Sequence, residues 1–303
     1  LALPAAAGAA PSVPLPAAGT AYFGVTTDTD LYGLSAFESA AGRQAGLFQY
    51  YRDWRGDFDR TQAEAVRQRG MIPIVTWEPW DWTAGVNQPN YTLARIANGA
   101  FDAYIRRWAQ AARAWGKPIM VRFAHEMNGT WYPWAQAANG NRAGDYVRAW
   151  RRVVSLFSSS GAGNVAWIWS PNVSYYGSTP LSALYPGDAY VDWIGIDGYN
   201  FGTIQPMPGW QAPSQVFGAT LSQVRALTRK PIIISETAAA EAGGDKASWI
   251  RDFAAYLLAD QGIRGFLWFN HDKETDWRIQ SSPSAQSAFA ALASNPRYRK
   301  PGT

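Results

Sequence analysis

The sequence contains no cysteine. That removes a disulfide framework, a thiolate metal centre and a cysteine nucleophile, and it does not argue against export. Histidine is almost as scarce. His125 and His271 are the only two, and they form neither a His-x-His nor a His-Glu-x-x-His spacing, so no catalytic metal and no cofactor is expected. There is no Gly-x-Ser-x-Gly elbow and no glycine loop of the phosphate-cradling kind. No apolar run is long enough to span a bilayer, and neither a short repeat nor a second domain shows in the pattern. The net charge of +4 is only mildly basic. The arginines of Arg106-Arg107 and Arg148-Ala-Trp-Arg-Arg152 fall in helical patterns, which suits a solvated face better than a phosphate track. Neither nucleic acid nor a membrane is an expected partner.

What is abundant is aromatic surface: 16 Trp, 15 Tyr and 13 Phe. Tryptophan combines a large flat apolar face with one polar handle, which suits stacking on the apolar faces of sugars; a Trp-rich core is the plainer explanation for part of the excess. Residues 1–20, LALPAAAGAAPSVPLPAAGT, carry no charge and no periodicity. They are expected to be a disordered Ala/Pro-rich leader or the remnant of an export signal. The folded domain is then expected at 21–303, in a secreted monomer.

Eight short apolar runs recur along the chain: Tyr22–Thr27, Leu47–Trp54, Met71–Trp77, Ile119–Ala124, Val165–Trp169, Val191–Ile196, Ile232–Ser235 and Arg264–Phe269. Runs apolar along their whole length fit parallel strands covered on both faces. Helical stripes lie between them, for example Phe101, Tyr104, Ile105, Trp108, Ala112 and Trp115, or Trp249, Phe253 and Tyr256 behind an Asp245 cap. The joints entering strands are short (Arg69-Gly70, Asp260-Gln-Gly262), and the connections leaving them are long (Glu78–Tyr91, Asn128–Gly144, Tyr199–Pro213, Asn270–Pro283). These features predict an α/β fold, a single (β/α)8 TIM barrel with its working face at the carboxyl ends of the strands.

Period-two alternation then nominates the inward side chains. These are Met120, Arg122, Ala124 and Glu126 on strand four and Gly195, Asp197 and Tyr199 on strand six. On strand seven they are Ile232, Ile234 and Glu236, and on strand eight Phe266, Trp268 and Asn270. Val121, Ile194, Ile196 and Ile233 point outward under the helices. Acidic groups at the rim are Glu78, Glu126, Asp197 and Glu236. Strands four and seven lie far apart around the ring, so Glu126 and Glu236 can face each other across the mouth. Two carboxyl groups about 5–5.5 Å apart give glycoside hydrolysis with retention, and about 6.5–9.5 Å gives inversion; spacing along the chain leaves that open. Arg122, beneath Glu126, either holds a carboxylate ionised or fills a barrel layer as a structural ion pair. Glu126 alone could equally be a surface acid beside a satisfied histidine.

The motif His125-Glu-Met-Asn-Gly-x-Trp131, together with Pro231-Ile-Ile-Ile-Ser-Glu236, resembles glycoside hydrolase family 26. Trp77-Glu-Pro79, Trp169-Ser-Pro-Asn172 and Gly195-Ile-Asp-Gly-Tyr-Asn200 agree, so the resemblance covers about residues 20–295. It implies a retaining glycosidase on a (β/α)8 barrel, with Glu126 as acid/base and Glu236 as nucleophile. It also implies that Trp131 and Trp268 wall the subsite, Tyr199 bonds Glu236 and His125 contacts or orients the reacting groups, in which case a local bulge is needed. Arg122, Asn172, Trp77, Glu78 and Asn270 would support or bind substrate. Arg122-Phe-Ala-His-Glu and Trp131-Tyr-Pro-Trp134 lie closer to the family's mixed-linkage glucanase branch than to its mannanases. The expectation is an endo-β-glycanase acting on mixed-linkage β-1,3-1,4-glucan. The alternatives are β-1,4-mannan as substrate, and then a barrel that binds carbohydrate without cleaving it.

Overall fold

A computed structural model describes residues 13–28, 30–205 and 207–301. Each of the eight apolar runs forms a strand: β1 (Tyr22–Thr27), β2 (Leu47–Asp53), β3 (Ile72–Glu78), β4 (Ile119–Phe123), β5 (Val165–Trp169), β6 (Trp193–Asp197), β7 (Ile232–Thr237) and β8 (Ile263–Asn270). They close into one parallel barrel in chain order. Helices occupy the spacers. Asp102–Trp115 buries Ile105, Trp108, Ala112 and Trp115, and Lys246–Ala259 is capped by Asp245, whose carboxylate accepts from the Ser248 amide. No helix among the described residues is long and apolar enough to cross a membrane.

Two apolar layers hold the barrel. Outside, the helices press on the strand faces that carry Phe23, Trp77, Val121, Ile194 and Phe266. Inside, the amino-terminal half is filled by Tyr22, Leu47, Ile72, Ile74, Met120, Ala166, Ile168, Trp193, Ile233 and Leu267. Burying each large side chain of this set contributes roughly 1.5–3 kcal/mol.

Val13 belongs to the inner layer. The Tyr22 hydroxyl donates to Pro14 O (2.9 Å), and Arg264 donates to the carbonyls of Pro16 and Ala17. Residues 13–20 are therefore docked on the barrel floor rather than free, and the folded unit starts before residue 21. Residues 1–12 of the expected leader lie outside the described residues.

Alternation failed on two strands. On β7 it is Ile233 that points inside, while Ile232 and Ile234 face the helices. The register then shifts between Ile234 and Thr237, so Ser235 and Glu236 both reach the interior. A one-residue slip reverses every later side chain. On β8, Leu267 is inside and Phe266 and Trp268 are outside, where Phe266 packs on Phe253 and Trp268 on Phe289. β4 ends its regular course at Phe123; Ala124 (φ 46°) and Glu126 (φ 52°) adopt left-handed backbone. Such residues cost on the order of 1–3 kcal/mol each; the irregularity brings Glu126 to the cleft and leaves His125 outside its lining, so the bulge does not serve the contact between His125 and substrate for which it was expected.

Candidate active site

Above the apolar layer the inward positions turn polar. β2 offers Gln49 and Tyr51, β3 Thr76 and Glu78, β4 Arg122, β6 Asp197, and β7 Ser235 and Glu236. Ser170 follows β5 and Tyr199 follows β6. Over them opens a cleft of about 1170 Å³ whose walls include Tyr51, Glu78, Glu126, Trp131, Tyr199 and Glu236.

Glu236 is held on both oxygens. Oε1 accepts from Tyr51 Oη (2.6 Å), Gln49 Nε2 (3.1 Å) and Arg122 Nη2, and Oε2 accepts from Tyr199 Oη (2.6 Å). Burial alone would raise its pKa, but the charge of Arg122 and the donated hydrogen bonds outweigh burial, and the carboxyl is held below the usual glutamate range. Glu126 has the opposite environment. Among the described residues its one side-chain donor is Trp131 Nε1, 2.7 Å from Oε2, and burial followed by the negative charge of Glu236 pushes its pKa up to about 7. One oxygen each of Glu126, Asp197 and Glu236 lies within 4.8 Å of the others. The two glutamates thus face each other at close range across the cleft floor.

Three acids this close could also suggest a cation site. Arg122 already fills that role: its Nη1 bonds Asp197 (2.5 Å), Nη2 bonds Glu236 and Nε bonds Thr76 Oγ1 (3.0 Å). Asp197 also accepts from Ser235 (2.6 Å) and Ser170 (3.1 Å). The serines fit because residue 195 is glycine; a Cβ there would lie 2.4 Å from Ser235 Oγ and 2.5 Å from Ser170 Oγ. Gly129 serves the upper site in the same way. A Cβ at 129 would lie 2.6 Å from the Trp131 ring, so the glycine lets that ring fold back onto Glu126.

The nominated residues divide into three groups. Glu78, Glu126, Trp131, Asn172, Tyr199 and Glu236 line the cleft. Asn172 is fixed by a reciprocal pair with Asn128, its amide donating to Asn128 Oδ1 and its carbonyl accepting from Asn128 Nδ2, both at 2.9 Å. Arg122 and His125 stand behind the wall. The His125 ring packs on Tyr132 and Trp134 with centroids at 4.8 and 5.7 Å, and burial together with the charge of Arg122 keeps it neutral. Trp77, Trp268 and Asn270 are not brought to the cleft. Trp77 and Trp268 point outward into the helix layer, because their strands place them on the other face. Asn270 Oδ1 accepts from the Ile279 amide (2.9 Å) and ties down the last loop.

Sequence reasoning missed Tyr51 and Gln49, although alternation from Leu47 along β2 points both inward. It also did not single out Trp277 as a wall. That ring lies 5.3 Å from Tyr199 and 5.2 Å from Phe201, on a loop whose course no periodicity describes. Glu78 lines the cleft with its pKa pushed up to about 7 by burial, against a 3.3 Å bond from Trp80 Nε1.

The family model for glycosyl hydrolase family 26 matches residues 59–270. Endoglucanase H of Acetivibrio thermocellus is 40% identical over 283 residues, covering 90% of this chain and 30% of that protein. A β-1,3-xylanase, TXYA, of a Vibrio species is 24% identical over 286 residues, 84% of this chain and 58% of the relative. The chain thus spans about a third of the first of these curated relatives and less than two thirds of the second. Among solved structures, the catalytic domain of a Bacillus sp. JAMB-750 endo-β-1,4-mannanase superposes with a TM-score of 0.69 at 19% identity, covering 93% of this chain and 87% of that one. At that identity the likeness bears on the fold.

Proposed function

The chain belongs to glycosyl hydrolase family 26, and on that premise we propose that it is an endo-β-glycanase that cleaves its polymer with retention at the anomeric carbon. The carrying observation is the pair of carboxyl groups with oxygens within 4.8 Å and opposite proton preferences. Glu126 enters the reaction protonated and gives its proton to the bridging oxygen. Glu236, kept ionised by Arg122, attacks the anomeric carbon and forms a glycosyl ester as the leaving sugar departs. Glu126, now a carboxylate, takes a proton from water, and that water releases the sugar from Glu236. Tyr51, Tyr199 and Gln49 hold Glu236 at the attacking angle. His125 and Arg122 act through their neighbours, as positioning residues.

For the substrate we propose a β-glucan, mixed-linkage β-1,3-1,4-glucan first. The support is the relative named an endoglucanase, which aligns along most of the chain. Glucose and mannose units differ at C2, whereas the two glutamates act at C1 and the bridging oxygen, so the same machinery serves β-mannan as the alternative. A polymer of this kind is met outside the cell, and a secreted monomer fits that task.

The test is release of reducing sugar from barley β-glucan, lichenan, glucomannan, galactomannan and β-1,3-xylan, with Glu236→Ala run beside the parent. Cleavage of barley β-glucan and lichenan, lost in the variant, supports the reading. Binding of these polymers without cleavage by the parent sinks it in favour of a carbohydrate-binding barrel.

A further inference from the structure

Beside the main cleft lies a side chamber of about 350 Å³, walled by Tyr51, Arg52, Asp53, Glu78 and Trp82. It shares Tyr51 and Glu78 with the main cleft, so it adjoins the cleft at those two side chains, and Glu236 lies on the cleft side of Tyr51. Trp82 is 63% exposed, so much of its indole stands open at the edge of the chamber.

The loop carrying Trp82 is built to hold it still. Asp81 Oδ1 accepts from the Thr83 amide (2.9 Å) and hydroxyl (2.6 Å) on one side of the tryptophan. Gln88, itself 6% exposed, clamps Asp81 by accepting from its amide (3.0 Å) and donating to its carbonyl (2.8 Å). The guanidinium of Arg55 lies 5.9 Å from the centre of the Trp82 ring and is fixed there by Asp53 (2.5 Å) and Asp81 (3.1 Å). A cation over one face of the indole leaves the other for a ligand.

The charges around the chamber are already paired. Arg55 takes Asp53 and Asp81, and Arg52 takes Asp59 and Asp30. Such a chamber suits a neutral ring with hydroxyl groups rather than an ionised sugar. Glu78 supplies the polar contact: Oε2 takes the Trp80 bond, while Oε1 makes no hydrogen bond among the described residues.

The polarity of the cleft follows from the two glutamates. The leaving sugar must lie where Glu126 can protonate its oxygen, which is the end where Trp131 bonds Glu126 and stacks on Tyr175 at 6.0 Å. The opposite end adjoins Tyr51, a partner of Glu236. Resting on the glycanase reading above, we propose that the chamber is a remote subsite for a neutral sugar on the non-reducing side of the bond broken, with the free face of Trp82 as its stacking platform and Glu78 as its hydrogen-bonding wall.

The experiment compares Trp82→Ala and Trp82→Phe with the parent in kcat/KM. The substrates are barley β-glucan, its oligosaccharides of increasing length, and an aryl β-glycoside with one sugar on the non-reducing side. The proposal expects the Trp82→Ala deficit to grow with length to about tenfold, the size of one lost stacking contact. It expects the deficit on the aryl glycoside to be at least several-fold smaller, and Trp82→Phe to recover most of the loss on long chains. An equal deficit at every length, or none at any, overturns it. Failure of the parent to cleave any of these substrates is a different result, which rejects the glycanase reading itself.

Discussion

The inside of the barrel divides across its middle into halves made by the same strands. Below, Leu47, Ile74, Met120, Ile168, Trp193, Ile233 and Leu267 form a dry apolar plug. One or two inward positions further along the same strands stand Gln49, Thr76, Arg122, Ser170, Asp197 and Ser235, each bonded to another of the set or to Glu236. The lower half stabilises through area removed from water. The upper half carries a fully buried Arg122 and Asp197 with Glu236 almost as deep, and taking each such ion from water costs several kcal/mol before pairing repays it. The contrast teaches that the plug holds the barrel shut while the upper layer spends part of that stability on fixing a proton arrangement.

Five substitutions break or sharpen that contrast. The largest is Glu236→Ala in the upper half, expected to lower kcat by roughly 10⁴–10⁶-fold on any glycan that the parent cleaves; initial rates within tenfold of the parent would remove Glu236 from the chemistry. Next, Arg122→Met takes away the cation that keeps Glu236 ionised. Activity should drop by about 10²–10³-fold, the acid limb of the pH–rate profile should move upward, and chemical denaturation should show a loss of about 3–5 kcal/mol. An unmoved acid limb would reduce Arg122 to filler. In the lower half, Leu47→Ala should cost about 2–5 kcal/mol in stability yet leave kcat at 25 °C within about twofold; a matching collapse of kcat would show that the halves are not separable.

The smallest effect is in the pH profile. Glu126 must be protonated to act as the acid, so with its pKa at about 7 the rate should fall as pH rises through about 7. Trp131 Nε1 favours the carboxylate, so Trp131→Phe should shift that limb upward by less than about one pH unit. Glu78 also sits at about 7, and Glu78→Gln separates the two acids. A limb that stays in place belongs to Glu126, and one that vanishes belongs to Glu78.

The barrel was legible because a parallel strand buried on both faces leaves a continuous apolar run, and all eight runs became strands. Glu126, Glu236 and Tyr199 were legible as polar groups at the carboxyl ends of such runs. Failure came where regularity stopped. The shift in β7 moved Ser235 and Glu236 onto one side, which no count of alternate residues reveals. Strand eight is apolar on both faces, so Trp268 could be phased either way, and Trp249 and Phe289 drew it into the helix layer, beside Phe266 on Phe253. Trp277 took the wall position instead, from a loop without periodicity. Tyr51 was readable and overlooked, since Leu47, Gln49 and Tyr51 alternate regularly along β2.

The central claim is that Glu236 reaches the anomeric carbon directly, with no water held between the two glutamates. Proton NMR of the first sugar released from a β-glucan oligosaccharide, recorded before mutarotation, tests this. The account predicts that the β-anomer appears first and the α-anomer grows in only with mutarotation. An α-anomer formed first would contradict it, because inversion places a water, not Glu236, on the anomeric carbon.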